Sequence, residues 1–124
     1  MNKNNDEFHP FNQLSDQEAL NIATQMMDEL MDASTQQDYL AHIQHFSKRA
    51  QSILDETQFK IVCQVYQQKY GFFGAREFVT LFRRPESIAF IWRQSYSKVS
   101  GDYVAEMVMI QEDGEYKVDH AYVF

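Results

Sequence analysis

The sequence predicts an α+β fold in which three N-terminal helices cover a four-stranded antiparallel sheet. Two observations carry this expectation. From Ser15 to Tyr70 apolar residues recur every three or four positions, the period of helices with one buried face. Beyond Gly71 the chain turns to β-branched and aromatic residues in four runs. Turn residues break these runs, and the last break holds Asp113-Gly114, the strongest short hairpin signal in the chain.

Residues 1–13 are rich in Asn and other polar types and predict a flexible tail, which Phe8, Pro10 and Phe11 could pin to the body. Residues 14–124 predict one α+β domain. Ser15 with Glu18 makes a capping box, and Leu14 sits where a hydrophobic staple would, so the first helix starts there. Its stripe is Ala19, Ile22, Ala23, Met26 and Leu30; Asp28, Glu29 and Asp32 make a polar face, and residues 33–37 read as a break. A second helix is expected from Asp38, as N-cap, toward Leu54, with Leu40, Ile43, Phe46, Ala50 and Ile53 or Leu54 on its stripe. Asp55 and Gln58 repeat the capping-box pattern and open a third helix, whose stripe of Phe59, Val62, Cys63, Tyr66 and Tyr70 ends at Gly71. No Pro or Gly separates the last two helices, so one bent helix is the alternative to a break near Asp55.

Strands are expected over residues 76–84, 87–98, 103–111 and 116–124. Short loops join consecutive strands, which makes an antiparallel meander the simplest sheet. Phe78-Val79-Thr80-Leu81-Phe82 and Ile88-Ala89-Phe90-Ile91-Trp92 are apolar on both faces, as is the third strand. The last strand alternates: Tyr116, Val118, Tyr122 and Phe124 share a face, with Lys117 and Asp119 opposite. Three helices cover one face. The surplus apolar area on the other predicts a homodimer through the sheet, with the N-terminal tail folded over that face as the competing reading.

A chain of 124 residues that is 44% hydrophobic and 15% aromatic fits one packed domain. No apolar run approaches the roughly 18–20 residues of a membrane span, and the polar N-terminus lacks the apolar stretch of a signal peptide. The single cysteine, Cys63, excludes an internal disulfide, so the cytoplasm is the expected compartment. Charge is uneven: residues 1–58 hold ten acids and three bases, residues 59–124 eight of each. This acidity disfavours polyanionic partners, both nucleic acid and membrane surface. A solvated helix surface is the plain reading of these acids, and a docking surface for a basic protein is the alternative.

The strand pattern resembles a known superfamily. Tyr103-Val104-Ala105-Glu106-Met107-Val108-Met109-Ile110, then Asp113-Gly114, then Tyr116-Lys117-Val118 and Ala121-Tyr122, is similar to the closing strands of the nuclear-transport-factor-2-like (cystatin-like) cones. Within that superfamily the chain looks like short bacterial domains of unknown function, where a helix leads into a glycine-containing turn ending on arginine, here Gly71 to Arg76 with Gly74 inside. The resemblance spans residues 19–124. It implies a curved sheet whose helices close a pocket, used by some members to bind or isomerise small molecules and by many without chemistry. Fold analogy alone does not assign a function.

Candidate chemistry is sparse. Superfamily enzymes pair Asp with His or Tyr inside the cone, and no such motif matches here residue by residue. Asp38, His42 and His45 can share a helix face, but they lie beside the stripe of Ile43 and Phe46, so a solvated helix edge is expected rather than a metal site. Cys63 falls on an apolar stripe without a nearby base and reads as core. His120, in the aromatic strand, is the one candidate general base, with a hydrogen-bonded structural role as the plainer reading. Tyr66, Trp92, Tyr122 and Arg76 are candidate pocket residues. Arg83 and Arg84 lie beside a turn; Arg76 is a candidate partner of Glu106 across the sheet, or of Arg93 in an anion site. No metal or cofactor pattern is present.

Three functions follow. The first is a noncatalytic small-molecule-binding or protein-interaction module, homodimeric through its sheet. The second is a cone-pocket isomerase or hydrolase built on His120 and an acid or tyrosine facing it. The third is an acidic immunity- or inhibitor-type protein that masks a basic target.

Overall fold

The computed structural model of the chain describes residues 11–124. A short 3-10 helix, Phe11–Gln13, leads into α1 (Asp16–Gln36), α2 (Tyr39–His42), α3 (Lys48–Ile53) and α4 (Glu56–Tyr70). Four strands follow: β1 (Phe73–Arg83), β2 (Ile88–Tyr96), β3 (Tyr103–Glu112) and β4 (Glu115–Val123). All pairs are antiparallel, in the order β1-β2-β3-β4. This is the expected α+β meander. Phe8 and Pro10 lie outside the described residues; Phe11 is buried, with its ring 5.6 Å from Tyr116.

Local signals set the helix starts. Both capping boxes form, at Ser15–Glu18 and at Asp55–Gln58, each closing two backbone N–H groups that the helix leaves open. α1 runs through the break expected at residues 33–37, because Ala33 and Ser34 are buried. It stops at Gln37, whose left-handed backbone (φ 56) returns its N–H to the Ala33 and Ser34 carbonyls.

The second expected helix is a correction: two short helices stand where one was expected, so the sheet carries four helices and not three. The cause is the edge of β4. Ser47 N–H donates to the Val118 carbonyl at 2.9 Å, and Val118 N–H donates to the His45 carbonyl at 2.7 Å. Phe46 thus forms a parallel bridge with Val118 and buries its ring. These residues leave the helix to satisfy an open strand edge. Ser47 then caps α3 by accepting from Ala50 N–H at 3.1 Å.

Bulges decide which side chains face the helices. On β4, Met109 pairs with Val118 but Val108 pairs with His120, so Asp119 is an extra residue. One extra residue reverses the alternation. Tyr116 and Val118 face the helices, whereas His120 and Tyr122 stand on the outer face, and Phe124 stacks on Tyr122 at 5.6 Å. The expected common face of Tyr116, Val118, Tyr122 and Phe124 is therefore split. Asp119 is held in place by Ser47 Oγ–H, donating at 2.7 Å, and by Arg49 Nε–H at 3.1 Å. Burial raises its carboxyl pKa, but these hydrogen bonds and the Arg49 charge outweigh burial and hold it below its ordinary value. On β1, Gln94 of β2 donates to the Gly74 and Ala75 carbonyls across a register shift.

Gly71 joins α4 to β1 at φ 88, and a Cβ there would stand 2.9 Å from the Lys98 backbone nitrogen. The acids of α1 meet bases of the sheet. Asp16 accepts from Arg83 Nε–H at 2.9 Å, and Asp28 accepts from Arg76, whose guanidinium lies 5.6 Å from the Trp92 ring centroid. Arg83 is exposed at the end of β1, beside the turn, and also donates to the Phe11 and Leu14 carbonyls. Arg76 faces α1 opposite Gln94, while Glu106 stands on the other face, so the two do not pair.

Candidate functional site

Ala19, Ala23, Phe90, Met107 and Met109 are fully buried members of one core cluster that fills the space between α1 and the sheet. Under α4 that space stays open as a cavity of about 330 Å³. α1 contributes Met27, Leu30, Met31 and Ser34 to its wall; α4 contributes Phe59, Val62, Cys63 and Tyr66. His42, Leu54, Phe73 and Tyr96 complete the sides, and Ala121, Tyr122 and Val123 line it along β4. Val62 of α4 is more than half exposed, so the wall reaches solvent beside α4. Among the described residues, none that lines the cavity is Asp, Glu, Lys or Arg.

Rings hold this end apart. Tyr66 packs at a tilt against Phe73 at 5.0 Å, as Tyr70 does against Tyr96 at 5.3 Å, and Tyr96 meets Tyr103 edge-on at 5.1 Å. Burial pushes the Tyr96 hydroxyl up to about 12, with the neighbouring tyrosines adding to it. The polar part of the wall is small. Ser34 Oγ lies 2.7 Å from Tyr66 Oη and 3.5 Å from Cys63 Sγ. Burial raises both the Tyr66 hydroxyl and the Cys63 thiol, more than the Ser34 hydrogen bonds lower them. Cys63 is thus a protonated thiol in the wall, which makes it a poor nucleophile.

His42 is a second correction. It stands at the cavity wall and not on a solvated helix edge, its ring 4.5 Å from Phe59 and 5.3 Å from Phe46. Its Nδ1 is 3.1 Å from the Leu30 carbonyl oxygen. A carbonyl only accepts, so Nδ1 carries the hydrogen and Nε2 is left as an acceptor. Burial lowers the imidazole pKa, opposed in part by that bond, so the ring is neutral at pH 7. Asp38 caps α2 by accepting from Ala41 N–H, and His45 pairs with Glu29 at 2.7 Å. Among the described residues no three His, Cys, Asp or Glu side chains gather as a metal site.

The candidate residues separate. Tyr66 lines the cavity with its ring and hydroxyl. Tyr122 borders it through the strand, while its ring stands on the outer face. Trp92, 2% exposed, and Arg76 belong to the filled end. His120 lies on the outer face with Nε2 2.6 Å from Glu106 Oε2, away from the cavity. Arg93, on that outer face, pairs with Glu77 at 2.8 Å and Asp102 at 3.5 Å. Ser34 and His42 escaped sequence reasoning as wall residues. The signal that marks Ser34 is a small polar residue in register with the buried stripe of α1.

No family model matches the chain. No curated protein sequence matches it either. Solved structures do. A designed nuclear-transport-factor-2-like protein is 11% identical over 86% of this chain and 99% of its own, with a TM-score of 0.59. A DUF4783 family protein from Bacteroides uniformis is 10% identical over 77% of this chain and 93% of its own, at 0.51. Bd1075 of Bdellovibrio bacteriovorus is 10% identical over 87% of this chain at 0.52, and the chain spans 40% of that protein's length. At such identities the likeness is one of fold. The chain has the nuclear-transport-factor-2-like cone fold and is similar in fold to a bacterial DUF4783 family protein.

Proposed function

We propose that this protein is a noncatalytic module that binds a small apolar molecule in the cavity under α4. The observation that carries the reading is the cavity of about 330 Å³ with apolar walls. An apolar cavity of roughly 150 Å³ takes one benzene, so this one has room for about two rings. It falls at the lower end of ligand sites, about 300–1,000 Å³. General acid–base work would need a second titratable group facing the first. Here the wall carries His42, Cys63, Tyr66 and Tyr96 but no described carboxylate to pair with them, and His120 with Glu106 stands on the other side of the sheet.

Naphthalene tests the reading. Its addition shifts the methyl signals of Met27 and Met31 in the wild type and leaves them in place in Ala121→Trp, which fills the wall. Unchanged Met27 and Met31 signals in the wild type refute the reading.

The outer face supports a homodimer as part of the same proposal. Phe82, Tyr122 and Phe124 are each more than half exposed there, beside half-buried Ile91, Val108 and Ile110. Light scattering is expected to return twice the chain mass for the wild type and the single mass for Tyr122→Glu. A monomeric wild type contradicts it.

A further inference from the structure

The cavity wall has a polar corner, and its chemistry narrows what the cavity can hold. Ser34 Oγ on α1 and Tyr66 Oη on α4 are 2.7 Å apart. Gln67 fixes their placement: its Nε2 donates to the Ser34 carbonyl at 3.2 Å and to Tyr66 Oη at 3.3 Å. Two hydroxyls carry two protons, and the bond between them takes one. The other rotates to the best acceptor within reach. Within the protein two acceptors compete for it, the Cys63 sulfur, 3.5 Å from Ser34 Oγ and a weak one, and the Thr35 hydroxyl beside Tyr66. A ligand oxygen placed at this corner is a stronger acceptor than the sulfur and leaves Thr35 its own bond to the Met31 carbonyl.

The rest of the wall sets the charge of the ligand. A carboxylate or ammonium entering the cavity loses its water and meets no counter-charge there. His42 does not supply one, because Nδ1–H is committed to the Leu30 carbonyl and the ring is neutral.

Resting on the reading of the cavity as a binding site, we propose that its ligand is an uncharged apolar molecule of one or two rings carrying a hydroxyl or carbonyl oxygen that meets the Ser34–Tyr66 hydroxyl pair. The apolar walls supply the affinity. The hydroxyl pair selects the oxygenated molecule over the bare hydrocarbon and sets its orientation. An acid of the same shape is excluded.

Three probes of one shape separate these effects: naphthol, methylnaphthalene and naphthoate, titrated at pH 7 into wild type, Ser34→Ala, Tyr66→Phe and the two combined. Thermal unfolding first establishes that the variants are folded. The expected result is naphthol bound about tenfold more tightly than methylnaphthalene, the worth of one hydrogen bond, with naphthoate not bound. Each variant keeps one hydroxyl and lowers the naphthol affinity only in part; the two substitutions combined reduce it to the level of methylnaphthalene and leave methylnaphthalene unchanged. Methylnaphthalene binding with no naphthol advantage, or an advantage that survives the two substitutions combined, overturns this proposal and leaves the cavity reading standing. Naphthoate binding as tightly as naphthol also overturns it. Failure of all three probes overturns the cavity reading, and this proposal with it.

Discussion

The two ends of the space between helices and sheet share one sheet but have different covers. At the filled end, Ala19 and Ala23 are fully buried, and their short side chains let the α1 backbone come down onto the fully buried Phe90, Met107 and Met109. At the open end, Tyr66, Tyr70, Phe73, Tyr96 and Tyr103 form a chain of ring contacts that props α4 away from the strands. Small residues close a layer and large rings at its rim hold it open. The filled core and the candidate site adjoin through Met27 and Met31, which belong to both.

The largest expected effect is at the filled end. Phe90→Ala removes a fully buried ring and is expected to cost about 3–5 kcal/mol, read from the urea midpoint. A loss below about 1 kcal/mol there would mean that this end is not the tight one. The opposite substitution contrasts the ends directly. Ala23→Leu overpacks the filled end and is expected to cost about 1–3 kcal/mol, whereas Ala121→Leu at the cavity wall costs less than about 0.5 kcal/mol. Equal losses for the two would erase the distinction.

Smaller effects sharpen the comparison. The Asp119 bulge turns Ala121 and Val123 toward the cavity, and Asp119→Ala is expected to cost about 1–2 kcal/mol through its lost charged hydrogen bonds. The folded carboxyl is held below its unfolded value, so its contribution is complete above the unfolded pKa of about 3.9. It is lost as pH falls through the folded value. The variant should therefore show a shallower loss of stability in acid, measured by denaturation at several pH values.

The smallest effect is spectroscopic. Tyr96, raised to about 12, should give a late step in an alkaline absorbance titration, and that step should vanish in Tyr96→Phe. The unfolded tyrosine ionises near its ordinary value of about 10, so stability falls as pH rises from there until the folded group ionises too. A titration without a late step would mean that the ring cluster is open to water.

The sequence by itself determined what depends on neighbours along the chain. Ser15 with Glu18, Asp55 with Gln58, Gly71, and Asp113-Gly114 each mark an element boundary through bonds or backbone angles within a few residues. Helical and strand periods added the α+β order, and together these carried the resemblance to the cone fold. Only the tertiary structure decided what depends on partners far apart in sequence. The helix expected across Phe46 gave way because Val118, on an open strand edge, offered backbone groups to satisfy. The faces of His120 and Tyr122 were reversed by Asp119, an extra residue that neither periodicity nor composition marks. The cavity belongs to the same class. It exists because rings at one rim and alanines under the other helix set different distances, and packing against the rest of the molecule fixes such distances.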